Sequence, residues 1–410
     1  MAFGLTKKEL SWVLYDVGNS AFVMLSTALI PVYFASIADP GSSVVVAWGY
    51  AETVASLVLA LLMPVLGSLA DLAGNKKKFL VGFAGTGAVA CAALGIPEHA
   101  LSFLVVYVIA AIMLNGSMVF YDAFLVDATT EERYDKVSSH GYAWGYIGSC
   151  IPFIACLAVV LGGSSFGIDA KLGMKIAFII TAAWWVVFTV PVAKNVKQLH
   201  GKKRSDHVLR TTISGLKGTV KSIVKDKRLL FFMLAFFFYI DGVHTVIKMS
   251  TSYGTDLGID STQLVLALLV TQFVAFPSAI AYGNLAKRFG TKRMLKVGVL
   301  AYFFIVLFAA FFLKSAVEFW ILAICVGLFQ GGIQALSRSE YGKLIPKERA
   351  NEYYGFFDIF GKYAAVMGTF LVSAFTQLTG SSSLGVLSIA LLFIVGYLFL
   401  RAMPPMLGDS

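Results

Sequence analysis

The chain has 410 residues, of which 58% are hydrophobic and 14% charged; with a mean hydropathy of +0.79 it has too little polar surface for a water-soluble globule. Its formal charge of +10 is that of many nucleic-acid binders, but the basic residues sit in short connections between apolar runs. Soluble enzymes, disordered chains and nucleic-acid partners are set aside, and a multi-pass membrane protein remains.

Lipid offers no partners to bare backbone groups, so a spanning helix needs roughly 20 mostly apolar residues. Twelve runs meet that length. In the first half they are 11–37, 44–70, 79–96, 101–128, 138–162 and 172–193. In the second half they are 229–253, 261–285, 294–313, 317–341, 354–377 and 384–401. Runs of this length are too long for barrel strands and predict an all-α membrane protein. The longest connection falls after the sixth run. It divides the chain into an N-terminal six-helix bundle at 1–193, a basic linker at 194–228 and a C-terminal six-helix bundle at 229–410. Within the linker Leu209, Ile213, Leu216, Val220 and Ile223 form a stripe, with Arg210, Lys217, Lys221 and Lys225 off it. That pattern predicts an amphipathic helix, either lying on the membrane surface or bridging the bundles in solvent.

With the amino terminus in the cytoplasm, the 33 Lys and Arg fall on the cytoplasmic side with five exceptions. Lys171 and Lys314 lie in external loops, and Lys175, Lys248 and Lys362 lie within spans. The external loops instead carry Asp39, Glu98, Asp169, Asp256, Asp260 and Glu318. The positive-inside rule therefore predicts that both termini are cytoplasmic. The four cysteines, Cys91, Cys150, Cys156 and Cys325, all fall within apolar runs and read as small buried hydrophobes.

The two halves repeat. GSLADLAGNKKK after the second run matches GNLAKRFGTKRM after the eighth, pairing Gly67 with Gly283 and Gly74 with Gly290 at an offset of 216. The same offset aligns Glu132-Arg133 with Glu348-Arg349 and Gly145 with Gly361. At an offset of 225, Asp16-x-x-Asn19-Ser20 matches Asp241-x-x-His244-Thr245. Such a repeat predicts two six-helix bundles related by a pseudo-twofold axis along the membrane normal, with a cavity at the midplane. In the loop phrase Gly67 and Gly74 permit a sharp turn and close approach. Asp71 is suited to capping a helix amino terminus or pairing with a neighbouring bundle.

The G-x-x-x-D-x-x-G-x-K-K pattern resembles the loop signature of the major facilitator superfamily. Leu72 stands where that family prefers a basic residue, and in the second copy Lys287 replaces the Asp. A narrower resemblance covers most of the chain. SWVLYDVGNSAF, YIDGVHTVIKMSTSYG and GGIQALSRSEYGKLIPKERANEYYGFFDIFGK are similar to the vacuolar amino-acid effluxer-like, autophagy-related branch and its bacterial relatives. The resemblance implies a major facilitator fold, a transporter, and efflux of neutral amino acids. It also implies residence in a bacterial inner membrane.

Charges in lipid cost about 2.5–3.5 kcal/mol each at mid-helix, so those present generally face an interior. Asp241, His244 and Lys248 share one helical face; they can bind a zwitterion, carry a coupling proton, or form a neutralised structural pair. Asp16 and Asn19 belong to the matching repeat. Asn115, Tyr121 and Asp122, with Gln330 and Gln334, add polar lining from equivalent spans or bridge helices. Asp358 and Lys362 are spaced as an i, i+4 pair and read as structural or gating first and substrate-binding second, while Gly67, Asp71, Gly74, Gly283 and Gly290 read as gating. Glu52 reads as an outer gate, a protonation site or a vestibule residue.

No H-E-x-x-H, P-loop or metal-ligand spacing occurs, so no cofactor, metal or enzyme activity is expected. The expectation is a monomeric secondary transporter that moves a small zwitterionic solute by alternating access with proton coupling. The alternatives are export of hydrophobic or cationic compounds, and a non-transporting membrane sensor.

Overall fold

A computed structural model describes residues 2–38, 44–202 and 208–404. Asp39 lies outside these, and the side chains of Leu209, Arg210, Ile213, Asp256 and Lys362 are outside the described residues as well.

The described chain is helical. In order, the helices are α1 (Lys7–Ala28), α2 (Ile30–Ile37), α3 (Val44–Ala70), α4 (Lys76–Ala93), α5 (Ala100–Ala123), α6 (Leu125–Ala128), α7 (Tyr134–Gly162) and α8 (Ala170–Asn195). They continue as α9 (Val208–Lys225), α10 (Lys227–Asp256), α11 (Ser261–Phe289), α12 (Thr291–Phe312), α13 (Ala316–Leu344), α14 (Ala350–Thr379) and α15 (Ser382–Ala402). Helix starts have local causes. Thr6 and Glu9 form a capping box at α1, and Asp169, Asp226, Ser315 and Ser381 accept backbone N–H bonds at α8, α10, α13 and α15.

Each of the twelve apolar runs is helical, and two of them are broken. The first, 11–37, bends by 44° at Leu29, because Pro31 has no N–H to continue the ladder and its ring crowds the preceding turn. The fourth breaks at Phe124 into α5 and α6. Nine described helices are singly long and apolar enough to cross a membrane, and the bent α1–α2 pair makes a tenth. Of the other two, α4 opens on Lys76, Lys77 and Lys78, and α14 contains the undescribed side chains at 362–366. Leu61, Leu101, Leu161 and Leu378 are largely exposed on their helices, as lipid-facing residues are.

The linker stripe divides. On α9 Ile223 is buried and Thr219 is buried in the place expected for Val220, which is exposed beside Lys217, Lys221 and Lys225.

The chain packs into two compact units. The first comprises Met1–Thr130, Trp144–Thr212 and Lys347–Gly355, and the second Glu131–Ala143, Ile213–Pro346 and Phe356–Ser410. In the first, α1 packs on α8, and α4 on α5 and α8, around the fully buried Trp12 and Trp185. In the second, α11 packs on α13, and α15 on α10 and α12. The first turn of α14 belongs to the first unit, and the first three turns of α7 belong to the second. This joins residues 280 positions apart in the first unit and 204 apart in the second.

Candidate functional site

Within the first unit, Asp16 is buried where α1 meets α5. Its carboxylate accepts from Asn19 Nδ2 at 3.4 Å and from Tyr121 Oη at 3.2 Å. Tyr121 is held in turn by Trp12, which stacks on it at 4.3 Å and donates Nε1–H to its carbonyl at 2.9 Å. Tyr15 donates to Ser117 at 2.6 Å and completes an aromatic wall round the acid. Asp122 is half-buried next to this group, whereas Asn115 spends its amide on Ala111 O of its own helix. Glu52 is exposed on α3 and accepts from the buried Tyr107 hydroxyl, with Trp48 packed on the Tyr107 ring.

Within the second unit, Asp241 is fully buried on α10. Oδ1 accepts from Gly368 N–H at 2.9 Å and from Thr245 Oγ1 at 3.2 Å, while Oδ2 has no hydrogen-bond partner among the described residues. Gly368 was not apparent from sequence. A Cβ there would lie 2.1 Å from Thr245 Oγ1 and 2.6 Å from Asp241 Oδ1, so only glycine lets α14 approach the acid.

The expected triad separates by depth. His244 is half-buried and Lys248 exposed, because seven residues carry Lys248 about 10 Å further along the helix although it keeps the same face. Gln330 is buried and, with Val246, Ile247, Thr271 and Gln272, lines a cavity of about 70 Å³. Gln334 donates to Gln330 O at 3.2 Å. Asp358 is half-buried, and its expected partner Lys362 lies outside the described side chains.

At the end of α3 the first unit carries a buried polar cluster. Asp71 is buried, and Oδ1 accepts from Asn351 N at 2.9 Å and Nδ2 at 2.8 Å, while Oδ2 accepts from Glu352 N at 3.1 Å. These backbone amides belong to the first turn of α14, where helical N–H groups have no partner within the helix. Burial pushes the Asp71 carboxyl up to about 6, against the pull of Lys76, Lys202 and the Asn351 donors. Gly67 makes the approach possible: a Cβ would lie 2.6 Å from Asn351 O. Gly74 turns the chain at φ +82°. Glu352 is buried between Lys202 at 2.6 Å and Arg349 at 2.8 Å, and Lys76 is wholly buried against Asp127 at 2.6 Å.

In the second copy of the loop, Gly283 presses on Ser139, with a Cβ 2.7 Å from its Oγ, and Gly290 turns at φ +88°. Lys287 is exposed. The acid of this cluster is Asp135, which accepts from Lys343 at 2.8 Å, Thr291 at 2.8 Å and Ser339 at 2.5 Å. Arg338 is buried beside it, donating to Ser138 Oγ and O and lying 4.4 Å over the Tyr142 ring. Asp135, Arg338 and Lys343 were missed because their partners come from distant sequence. The signals were the Glu132-Arg133 and Glu348-Arg349 match next to them and the family-like stretch GGIQALSRSEYGK, which contains Arg338 and Lys343.

Residues 42–405 match the family described as vacuole effluxer Atg22 like. The chain belongs to the Atg22-like branch of the major facilitator superfamily. An uncharacterised MFS-type transporter of Bacillus subtilis, YxiO, is 46% identical over 97% of this chain and 95% of its own length. Autophagy-related protein 22 of Cryptococcus neoformans is 26% identical over 63% of the chain, a match that spans about half of the fungal protein. Among solved structures, the transporter FucP in its outward conformation superposes with a TM-score of 0.75 at 14% identity, over 97% of this chain and 99% of that one. The proton:xylose symporter XylE superposes with a TM-score of 0.74 at 10% identity, over 97% and 94%. The fold is therefore the twelve-helix major facilitator fold of two six-helix bundles. The Atg22-like chain is a multi-pass membrane transporter of that superfamily.

Proposed function

We propose that this Atg22-like protein is a monomeric secondary active transporter of a small zwitterion, an amino acid or a relative, working by alternating access with proton coupling. The observation that carries the reading is Asp241. It is a buried acid in mid-helix, held only by neutral donors, with one oxygen open among the described residues, which suits a group that gains and loses a proton. Asp16 and Tyr121 within the first unit, and Gln330 within the second, are further polar groups on helices that correspond in the repeat. Asp71 is the gating group: its three bonds to the start of α14 hold one conformation and release in another. The basic-residue distribution supports cytoplasmic termini, and the Bacillus relative supports a bacterial cell membrane.

A second reading, export of a cationic or hydrophobic compound, is favoured by two features. Lys248 is exposed and not paired with Asp241, and Asp16 lies among Trp12, Tyr15 and Tyr121. A thermal-shift screen of the purified protein against amino acids, betaines, peptides, sugars and organic cations separates the two, since a binder stabilises the native state by mass action. Stabilisation by amino acids supports the first reading. Stabilisation by cations alone replaces it with the second.

A further inference from the structure

The loop after α3 carries Leu72 between Asp71 and Ala73, so it provides no cation next to the buried acids Asp71 and Glu352 from that position. Besides Lys76 and Arg349, a further cation reaches these acids from the linker. Residues 196–202, which follow α8, fold back onto the loop as a strap. Asp127 Oδ1 accepts from Leu199 N at 2.8 Å and His200 N at 2.9 Å. The Gln198 amide accepts from Lys76 N at 3.2 Å and donates to Asp71 O at 3.3 Å. Lys202 then pairs with Leu72 as a parallel β-bridge: its N–H donates to Asp71 O at 2.8 Å, and its carbonyl accepts from Ala73 N at 3.1 Å. Gly201 fits this contact, since a Cβ there would lie 3.0 Å from Asp71 O. The bridge aims Lys202 Nζ at Glu352 Oε2, 2.6 Å away, with Asp71 Oδ2 at 4.0 Å and Ser68 Oγ at 3.5 Å.

We infer that Lys202 is a positioning residue of the Asp71 gate, delivering from the linker the charge that Leu72 does not provide, so that strap and gate engage together. The inference rests on the gating role proposed for Asp71. Glu352 N–H donates to Asp71 while the Glu352 carboxylate, wholly buried, is held by Lys202 and Arg349. Lys202 thereby neutralises an acid on the same residue whose amide the gate grips, and it lies near enough to Asp71 to offset the repulsion between the two carboxylates. The strap begins the connection that runs from α8 to α9.

The test is hydrogen exchange on the full-length protein in nanodiscs, which requires no substrate. Lys202→Met should speed exchange at the Asn351 and Glu352 amides at least about tenfold, Arg349 retaining part of the hold on Glu352. Exchange in α12, remote from the strap, should stay at the wild-type rate, which excludes general unfolding. Lys202→Arg should behave as wild type. Leu72→Lys added to Lys202→Met should slow exchange again, because paired positions of a parallel bridge lie about 4.8 Å apart and a lysine at 72 reaches the same carboxylates. Unchanged exchange in Lys202→Met, equally fast exchange in Lys202→Arg, or no recovery in the double variant would overturn the inference. If transport fails for every solute while the exchange pattern holds, the functional reading falls and the positioning role of Lys202 stands.

Discussion

Replacing Asp71 by Ala tests the gate where its energetics are most open to arithmetic. The substitution strips the acceptor from two backbone amides, Asn351 and Glu352, and from the Asn351 side chain. A buried donor left unmet costs about 1–3 kcal/mol, and the side-chain amide can turn away, so the two backbone groups set a loss of about 2–6 kcal/mol. Part of that returns, because burial already disfavours the Asp71 charge. A net penalty of about 3 kcal/mol, roughly a hundredfold in population, falls on the conformation in which loop and helix are joined. Substrate contacts elsewhere are untouched. Equilibrium binding should therefore stay within about threefold of wild type while the transport rate at saturating substrate in proteoliposomes changes by tenfold or more. A large loss of affinity with an unchanged saturating rate would refute the gating role.

Gly368→Ala drives a Cβ into Thr245 Oγ1 and Asp241 Oδ1, and such overpacking costs about 1–3 kcal/mol, read as a fall of several degrees in the melting temperature of the detergent-solubilised protein. Asp71 titrates at about 6 when held by α14 against an ordinary 3.8, so the folded state binds the proton more tightly. The proton-linked part of its contribution to stability is complete below the lower value and is lost as pH rises through the higher one. The melting temperature of wild type relative to Asp71→Asn should therefore increase as pH is lowered from 7 to 4.5, and a difference that shrinks on acidification would contradict it. Lys248→Met should weaken binding of carboxylate-bearing solutes more than of cationic ones; equal weakening of both removes Lys248 from substrate recognition.

The helices were legible because lipid imposes length and apolarity on every span, whereas the run 11–37 was read as one helix and its break at Leu29, before Pro31, required the structure. The Gly67-Asp71-Gly74 turn was legible for a local reason: glycines at a close approach and a positive φ leave a trace in the sequence itself. Its partners were not. Asn351 and Glu352 are 280 and 281 positions away, and hydrophobic periodicity carries no information across that distance. Lys202 was equally hidden, since in sequence it is one basic residue in a basic linker. The Asp241, His244 and Lys248 face followed from helical spacing, but spacing gives angle and not depth, so the exposure of Lys248 required the structure. Gly368 looked like any small residue in a membrane helix until the backbone of α14 was found against Asp241.

The central claim, a proton-coupled transporter with Asp241 as the coupling acid, is tested most directly by solute accumulation in proteoliposomes under an imposed pH gradient. Asp241→Asn keeps the shape of the side chain and an oxygen for Gly368 and Thr245, and removes the titrating group. The account predicts that wild type accumulates radiolabelled amino acid against its gradient, whereas Asp241→Asn, equally folded, only equilibrates it. Accumulation by Asp241→Asn at the wild-type level would contradict the claim and leave Asp241 a structural tie between α10 and α14.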